Sequence, residues 1–413
     1  MPDGAIEMKS EECKRAILKR GKEDSLLRWH PWVFSGAIHH FSAPPEDGEV
    51  VEVWADDGEQ LRFIATGHYQ RGSIMVRVLS WQQEPIDQAF YERRLQAALR
   101  MRQALGFAVA GNEQAPSGSF RLVHGEGDGL PGLIIDIYGQ TAVMQAHSVG
   151  MHLQRQCIAN ALRNVLQERV ENIYYKSDTT LPFFAEHPDI SGYLLGGAAD
   201  DVAVENGLRF HVDWLHGQKT GYFLDQRDNR ALLERYARGR RVLNMFCYTG
   251  GFSLYALRGG AALVHSVDSS QKAVDLTNAN VALNFPGDAR HEAFAEDAFR
   301  FLDRMETAQY DLIVLDPPAF AKHREAVHNA LKGYTRLNAK ALSKLPPHSL
   351  LFTFSCSQVI SKDAFRTAVF TAAAQARRQV RILHQLHQAP DHPVSIYHPE
   401  GEYLKGLVLY VEN

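Results

Sequence analysis

Residues 241–260 read RVLNMFCYTGGFSLYALRGG: an apolar strand, a glycine turn and the opening of a helix. Gly250 and Gly251 let backbone N–H groups approach a ligand closely, at a helix N-terminus that favours negative charge. The turn is YTGGFS rather than GxGxxG, and no third glycine occurs at the spacing a dinucleotide site requires. Alone, such a turn is equally a tight strand-to-helix connection, so the segments around it must decide. Working outward, strands at 241–246, 263–267, 290–294, 310–315 and 349–354 alternate with helices at about 252–258, 270–283, 297–304 and 325–344. Five such units predict an α/β fold with a parallel doubly wound sheet.

The ends of these strands carry the chemistry. LVHSVD ends in Asp268, where an acid in this kind of sheet holds ribose hydroxyls, and Asp297 comes after the third strand, within reach of an adenine edge. The fourth strand, YDLIVLDPPAF, ends in Asp316-Pro317-Pro318. Proline cannot donate to a sheet ladder, so the pair ends the strand and stiffens the loop beyond it. This D-P-P resembles motif IV of nucleic-acid and amino-group methyltransferases, and the resemblance implies S-adenosyl-L-methionine rather than NAD.

The fifth strand, LLFTFSCSQ, brings Cys356 to its carboxyl end, flanked by Ser355 and Ser357. C5 of a pyrimidine is a poor nucleophile until a thiolate adds at C6, and loss of the C5 proton later expels the thiol. Asp316 is placed to hydrogen-bond a cytosine edge and absorb charge there. Cys247, inside the glycine turn, is read as a wall of the site.

The N-terminal half is organised differently. Residues 14–81 read as a small β-rich unit with strands at 50–53, 62–66 and 74–79. A helix over 90–106, strands at 120–123, 133–138, 141–146 and 172–176 and a helix at about 149–168 make a central α+β unit. Asn206-Gly207 between alternating segments is a hairpin signal. The boundaries expected are 1–85, 86–198 and 199–413. HGEGDGLPG lacks the GK[ST] of a phosphate loop and is read as a turn.

Bulk properties bound the function. The 413 residues carry a formal net charge of −4, mildly against nucleic-acid binding, although a local basic face matters more than the total. Residues 14–28 hold Lys14, Arg15, Lys19, Arg20, Lys22 and Arg28 against Glu23 and Asp24, a stripe able to track phosphate. Trp29, Trp32 and Phe34 could stack bases, with core packing expected for at least two, and His30 before Pro31 reads as a turn residue. No apolar run is long enough to cross a bilayer, and the charged first twenty residues do not resemble a signal peptide. Four dispersed cysteines and nineteen scattered histidines form no ligand-spaced group, so neither a metal nor disulfides are expected, and a reducing cytoplasm is.

Over nearly its whole length the chain resembles the RlmI-type 23S rRNA cytosine-C5 methyltransferases. The matching segments are LLRWHPWVFSGAI (26–38), LVHGEGDGLPGLIIDIYG (122–139), HGQKTGYFLDQRDNR (216–230), VLNMFCYTGGFS, LDPPAFAK, FSCS and PEGEYLKGL (399–407). The resemblance implies a Rossmann-like class I methyltransferase unit at the C-terminus, preceded by a PUA RNA-binding domain and a family-specific α+β domain. It implies large-subunit ribosomal RNA as partner, and Asp316 and Cys356 as the catalytic pair facing the base. The cofactor would be lined by Phe223, Asp225, Arg227, Asn244, Phe246, Tyr248, Thr249, Gly250, Gly251, Asp268, Ser269, Asp297, Asp316 and Pro317. Motif IV has no cysteine, so a one-cysteine mechanism is implied and the acceptor of the C5 proton is unassigned. A guanine methyltransferase, with Phe320 stacking the flipped base in either case, and a non-catalytic RNA-binding protein are the competing readings. The sequence leaves the oligomeric state open, a homodimer included.

Overall fold

A computed structural model describes residues 13–107, 118–182, 191–197, 201–321 and 323–413. The charged opening at 1–12 and Lys322, which closes LDPPAFAK, lie outside the described residues.

Residues 14–80 contain a six-stranded sheet in the order Trp32–Phe34, Ile74–Ser80, Leu61–Tyr69, Val50–Asp56, Lys14–Leu18, Ile38–Phe41. Its pairs are antiparallel except Lys14–Leu18 with Val50–Asp56. The three expected strands are present, and Lys14–Leu18, Trp32–Phe34 and Ile38–Phe41 are additional. Part of the expected basic stripe is therefore sheet. Ala16 is in the core, and Lys14 pairs with Glu49 at 2.8 Å. Two aromatic residues also differ from expectation. Trp29 and Phe34 are exposed and Trp32 is half-buried; Trp29 stands at φ +67° with its ring beside Trp81 and Tyr397.

A second, five-stranded sheet runs Ser191–Leu195, Asn172–Lys176, Thr141–Ala146, Leu133–Tyr138, Ser119–His124, and shares one core with the helices Gln88–Ala104 and Arg155–Leu166. The single helix expected at 149–168 is two, Val149–Leu153 and Arg155–Leu166, because Gln154 takes φ −86°, ψ 2° between them. HGEGDGLPG is a turn, as expected, and its Asp128 is buried against Arg102.

The third sheet positions the site. Its strands are β1 (Arg241–Met245), β2 (Leu263–Asp268), β3 (His291–Ala295), β4 (Leu312–Leu315), β5 (Leu350–Ser355), β6 (Val380–Leu386) and β7 (Lys405–Val411). The spatial order is β3-β2-β1-β4-β5-β7-β6. β1 to β5 are parallel, whereas β7 runs antiparallel between β5 and β6, so the sheet is mixed rather than wholly parallel. The helices are α1 (Arg227–Tyr236), α2 (Gly251–Arg258), α3 (Gln271–Asn284), α4 (Ala298–Arg304), α5 (Val327–Lys344) and α6 (Lys362–Gln375). Alternate residues of the central strands enter two different cores. Val242, Leu312, Val314 and Phe352 join one, and Leu243, Met245, Ile313, Leu315 and Leu351 the other. Burial on both faces explains the unbroken apolar run LIVL.

The hairpin Val202–Glu205 and Leu208–His211 turns through Asn206 and Gly207 at φ +48° and +79°, as the Asn-Gly signal requires. Its last residue before the turn, Glu205, is buried under the cofactor turn and accepts hydrogen bonds from Arg230 Nε (2.9 Å), Arg230 Nη2 (2.7 Å) and Tyr255 Oη (2.9 Å). Removing one partner of such a pair leaves an uncompensated buried charge. Glu205→Ala should therefore lower unfolding stability by roughly 3–5 kcal/mol in urea titrations. A loss within the ordinary surface range would show that Glu205 does not brace the turn.

Candidate active site

The glycine turn leaves β1 under constraint. Phe246 and Tyr248 both have positive φ (+58° and +47°), conformations that cost about 1–3 kcal/mol each outside glycine and cluster at ligand sites. Gly250 comes next at φ +79°, and a Cβ there would stand 2.7 Å from Thr277 Cγ2, so α3 packs where only glycine fits. Asp268, at the end of β2, accepts the Tyr248 N–H on Oδ2 (3.1 Å) and the Ser270 N–H on Oδ1 (3.0 Å). Ser269 is exposed beside it. Tyr248 Oη receives the Gln218 N–H and donates to Gly221 O, and its ring meets Phe223 edge-on at 5.3 Å. Segment 216–223 is thereby fastened against the turn. Asn244 donates to Ser253 Oγ, and its Oδ1 is buried with no hydrogen-bond partner among the described residues. Thr249 is buried, and its carbonyl accepts from Asn280 Nδ2 at 2.9 Å.

β4 lies between β1 and β5, so Asp316 and Cys356 emerge on the same edge. Gln226 Nε2 donates to Asp316 Oδ2 at 3.0 Å, and Asn229 holds Gln226 in turn. Burial, and then the neighbouring Asp225 carboxylate, push the Asp316 carboxyl up to about 7. Burial and the same two carboxylates push the Cys356 thiol up to about 12. The flanking serines are ties: Ser355 Oγ donates to Tyr334 Oη (2.9 Å) on α5, and Ser357 Oγ to Ala321 O (2.6 Å) after Asp316-Pro317-Pro318. They lock the thiol-bearing turn to the loop that carries Asp316.

Several expected roles change. Arg227 is not at the pocket wall. It is buried, donates to Asp391 Oδ2 at 2.7 Å and lies over the Phe107 ring, so it serves an interior ion network. Asp297 caps α4, its Oδ1 accepting from the N–H groups of Phe299 and Arg300 (both 3.0 Å). Only its Oδ2 is left for a ligand. Phe320 is half-buried and packs on Tyr334 at a ring separation of 4.6 Å, with Gly333 beneath it. Phe246 leans into the second sheet core, while Pro317 is buried behind Asp316. Cys247 is buried against Thr277, consistent with a wall.

Three functional residues escape sequence reasoning. Gln226 orients Asp316, and Tyr403 Oη donates to Asp225 Oδ2 at 2.6 Å. Lys405 faces Ser355 across β5 and β7, and its buried ammonium donates to Ser357 O at 2.6 Å. The last two lie in PEGEYLKGL, a segment whose chemistry is invisible until β7 is placed beside β5.

With this geometry in view, comparison with known proteins is decisive. Residues 181–396 match the family of S-adenosylmethionine-dependent methyltransferases, and residues 16–81 match a PUA-like domain. The chain is 41% identical, over 96% of its length and 99% of the relative's, to ribosomal RNA large subunit methyltransferase I of Erwinia tasmaniensis. It is 39% identical, over 96% and 99%, to that of Escherichia coli O139:H28. The chain belongs to this methyltransferase family. Among solved structures, a Streptococcus mutans chain proposed to be a SAM-dependent methyltransferase superposes with a TM-score of 0.80 at 23% identity, covering 96% of this chain and 99% of that one. A second, complexed with SAH, gives 0.81 at the same identity and coverage. These two show the fold.

The protein is thus an S-adenosylmethionine-dependent enzyme, and its residues fit that group. The Asp268 carboxylate stands where ribose hydroxyls need acceptors, Asn244 Oδ1 and Asp225 Oδ1 are buried polar atoms without partners among the described residues, and Gly250 admits no side chain. Among the described residues no helix is long and apolar enough to cross a membrane.

Asp316 gives a stability test. Its carboxyl, raised from 3.8 to about 7, holds a proton more tightly folded than unfolded. Its contribution is complete below pH 3.8 and is lost as pH rises through about 7. Asp316→Asn removes that loss. Scanning calorimetry should find Tm of the variant, relative to the parent, climbing between about pH 4 and pH 8. A pH-independent difference would contradict the raised value.

Proposed function

We propose that this enzyme methylates C5 of a cytosine in large-subunit ribosomal RNA through a transient Cys356–C6 bond. The observation that carries the reading is a thiol at the end of β5, tied to the Asp316 loop, with an ammonium held against the same turn. The relatives' names supply the RNA class, the match of 16–81 to a PUA-like domain supports RNA capture, and four free cysteines fit a cytoplasmic setting. We assign three working units to the expected ranges 1–85, 86–198 and 199–413, the last being catalytic.

S-adenosylmethionine, when bound, presents a methyl group made electrophilic by its sulfonium. The protein's part is to make C5 nucleophilic. At rest Cys356 is a thiol, since burial and then the adjacent carboxylates oppose its charge. Asp316, poised near neutrality, is protonated often enough to donate to cytosine N3, which removes one of the opposing charges. The Cys356 proton passes to the neutral fraction of the Lys405 amine, and the resulting thiolate forms a bond to C6 as the C5=C6 electrons shift toward N3, where the Asp316 proton settles. C5 gains the methyl as N3 returns its proton. The C5 proton next leaves to a carboxylate, the C6–S bond breaks, and the thiolate and the aromatic ring are restored. Asp225, with Oδ2 fixed by Tyr403 and Oδ1 unpartnered, is the acceptor we assign.

Lys405 acts through Cys356. Burial pushes its ammonium down to about 8, and a thiolate beside it opposes that fall. The two groups therefore charge most favourably together.

Cys356→Ala should abolish 5-methylcytidine formation in nucleoside mass spectrometry of RNA incubated with labelled cofactor. RNA carrying 5-fluorocytosine, which has no C5 proton to lose, should leave a denaturation-resistant adduct on the parent but not on that variant. Asp225→Asn should accumulate the adduct on ordinary RNA. A methylated guanine as the product would refute the assignment outright.

Lys405→Met should retain the fold and move the pH midpoint of Cys356 alkylation by iodoacetamide upward, with Lys405→Arg restoring part of it. An unmoved midpoint would leave Lys405 a packing residue only.

A further inference from the structure

His30 and His398 lie at opposite ends of the chain, and neither has a part in the methyl-transfer site. In the fold they meet. His30 immediately precedes the strand Trp32–Phe34 of the PUA-like module, whereas His398 and Glu400 belong to the segment that leads into β7. One ligand atom from each of His30, His398 and Glu400 falls within 4.8 Å of the other two. His30 Nε2 is 3.6 Å from Glu400 Oε1, and His398 Nε2 is 3.8 Å from Glu400 Oε2. Both separations exceed a hydrogen bond. They lie close to the roughly 3.3 Å edge of a tetrahedron whose ligands stand about 2.0–2.1 Å from a central zinc.

His398 makes the stronger case. The residue is 2% exposed, and both ring nitrogens, Nδ1 and Nε2, are buried without a hydrogen-bond partner among the described residues. A buried imidazole without partners loses about 1–3 kcal/mol of hydrogen bonding that solvent would have supplied. The surroundings hold the ring where it is. Trp32 meets it edge-on at 4.3 Å, and the Trp32 indole N–H is anchored on Glu126 Oε1 at 2.8 Å. Glu126 comes from the turn after Ser119–His124, so the central unit also reaches the cluster. The backbone N–H of Trp32 makes only a long, 3.3 Å contact to His30 Nδ1, one that a coordinated tautomer gives up.

The geometry points to a divalent-cation site of the zinc class formed by His30, His398 and Glu400, with water completing the tetrahedron. Two imidazoles and one carboxylate suit zinc better than magnesium or calcium, which prefer oxygen donors throughout. The sequence expectation of no metal rests on spacing along the chain, and spacing cannot register ligands contributed by separate modules. The site is a clamp. An ion there ties the PUA-like module to the catalytic unit and fixes how far a bound RNA stands from Cys356. It does not depend on which base is methylated.

The test uses the full-length protein with any affinity tag removed, stripped with chelator and desalted, then titrated with zinc chloride alone by calorimetry. One tight equivalent is expected, together with a higher Tm, since an ion that binds only the folded chain stabilises it. His398→Ala should remove the equivalent. Because that side chain is buried, Glu400→Gln and His30→Gln, which alter less buried groups, provide the second measurement, and each should weaken binding about tenfold or more. His39→Gln with His40→Gln, on the opposite edge strand of the PUA-like sheet, should leave it unchanged. No saturable binding in the parent, or equal binding in Glu400→Gln and His30→Gln, would overturn the site.

Discussion

Parallel strands paired in register bring their carboxyl ends to one edge, and β4 is held between β1 and β5 by hydrogen bonds along both sides. Three loops consequently leave the sheet side by side: the strained turn through Tyr248, the Asp316-Pro317-Pro318 start and the Cys356 turn. The methyl-transfer chemistry proposed for Asp316 and Cys356 depends on that adjacency. Pro317 and Pro318 do not weaken it, because they come after the last paired residue, where no ladder hydrogen bond is required. The serines on either side of Cys356 then convert adjacency into fixed geometry, by bonding to α5 and to the loop opposite.

Charge, rather than apolar contact alone, joins the catalytic sheet to the central unit. Asp391, fully buried, accepts the Arg121 N–H and the Arg227 guanidinium on Oδ2, while its carbonyl accepts from Arg102. Asp136 likewise takes both Arg121 and the Thr220 hydroxyl. Such networks are costly to desolvate and severe to break, because each partner left behind is an unpaired buried charge. Their value lies in specificity. A docking that shifted the central unit by one residue would leave these charges unmatched.

Legibility in the sequence tracks the physics of local signals. Strands buried on both faces, glycine turns and the Asn-Gly hairpin announce themselves within a few residues, and all are legible. Trp32–Phe34 and Ile38–Phe41 are not, since three or four residues give too little alternation to count. β6 and β7 escape because they pair with each other through an irregular register and reach the parallel strands only through β5, on the far side of α6. Among site residues, Asp268, Asp316 and Cys356 can be named from their places at strand ends. Arg227 cannot be placed correctly, because a charged side chain near a pocket motif carries no mark of whether it turns toward ligand or toward Asp391. Gln226, Tyr403 and Lys405 act only through groups distant in sequence.

The placement of β7 between β5 and β6 has a temporal meaning. A growing chain reaches Cys356 well before residues 405–411, so the open edge of β5 waits unpaired while α6 and β6 are made. Only the arrival of β7 seals that edge and delivers Lys405 and Tyr403 to the thiol and to Asp225. Until then Cys356 lacks the Lys405 ammonium near its turn and Asp225 lacks the Tyr403 hydroxyl. The roles proposed for Lys405 and Asp225 therefore wait on the pairing of β7 with β5.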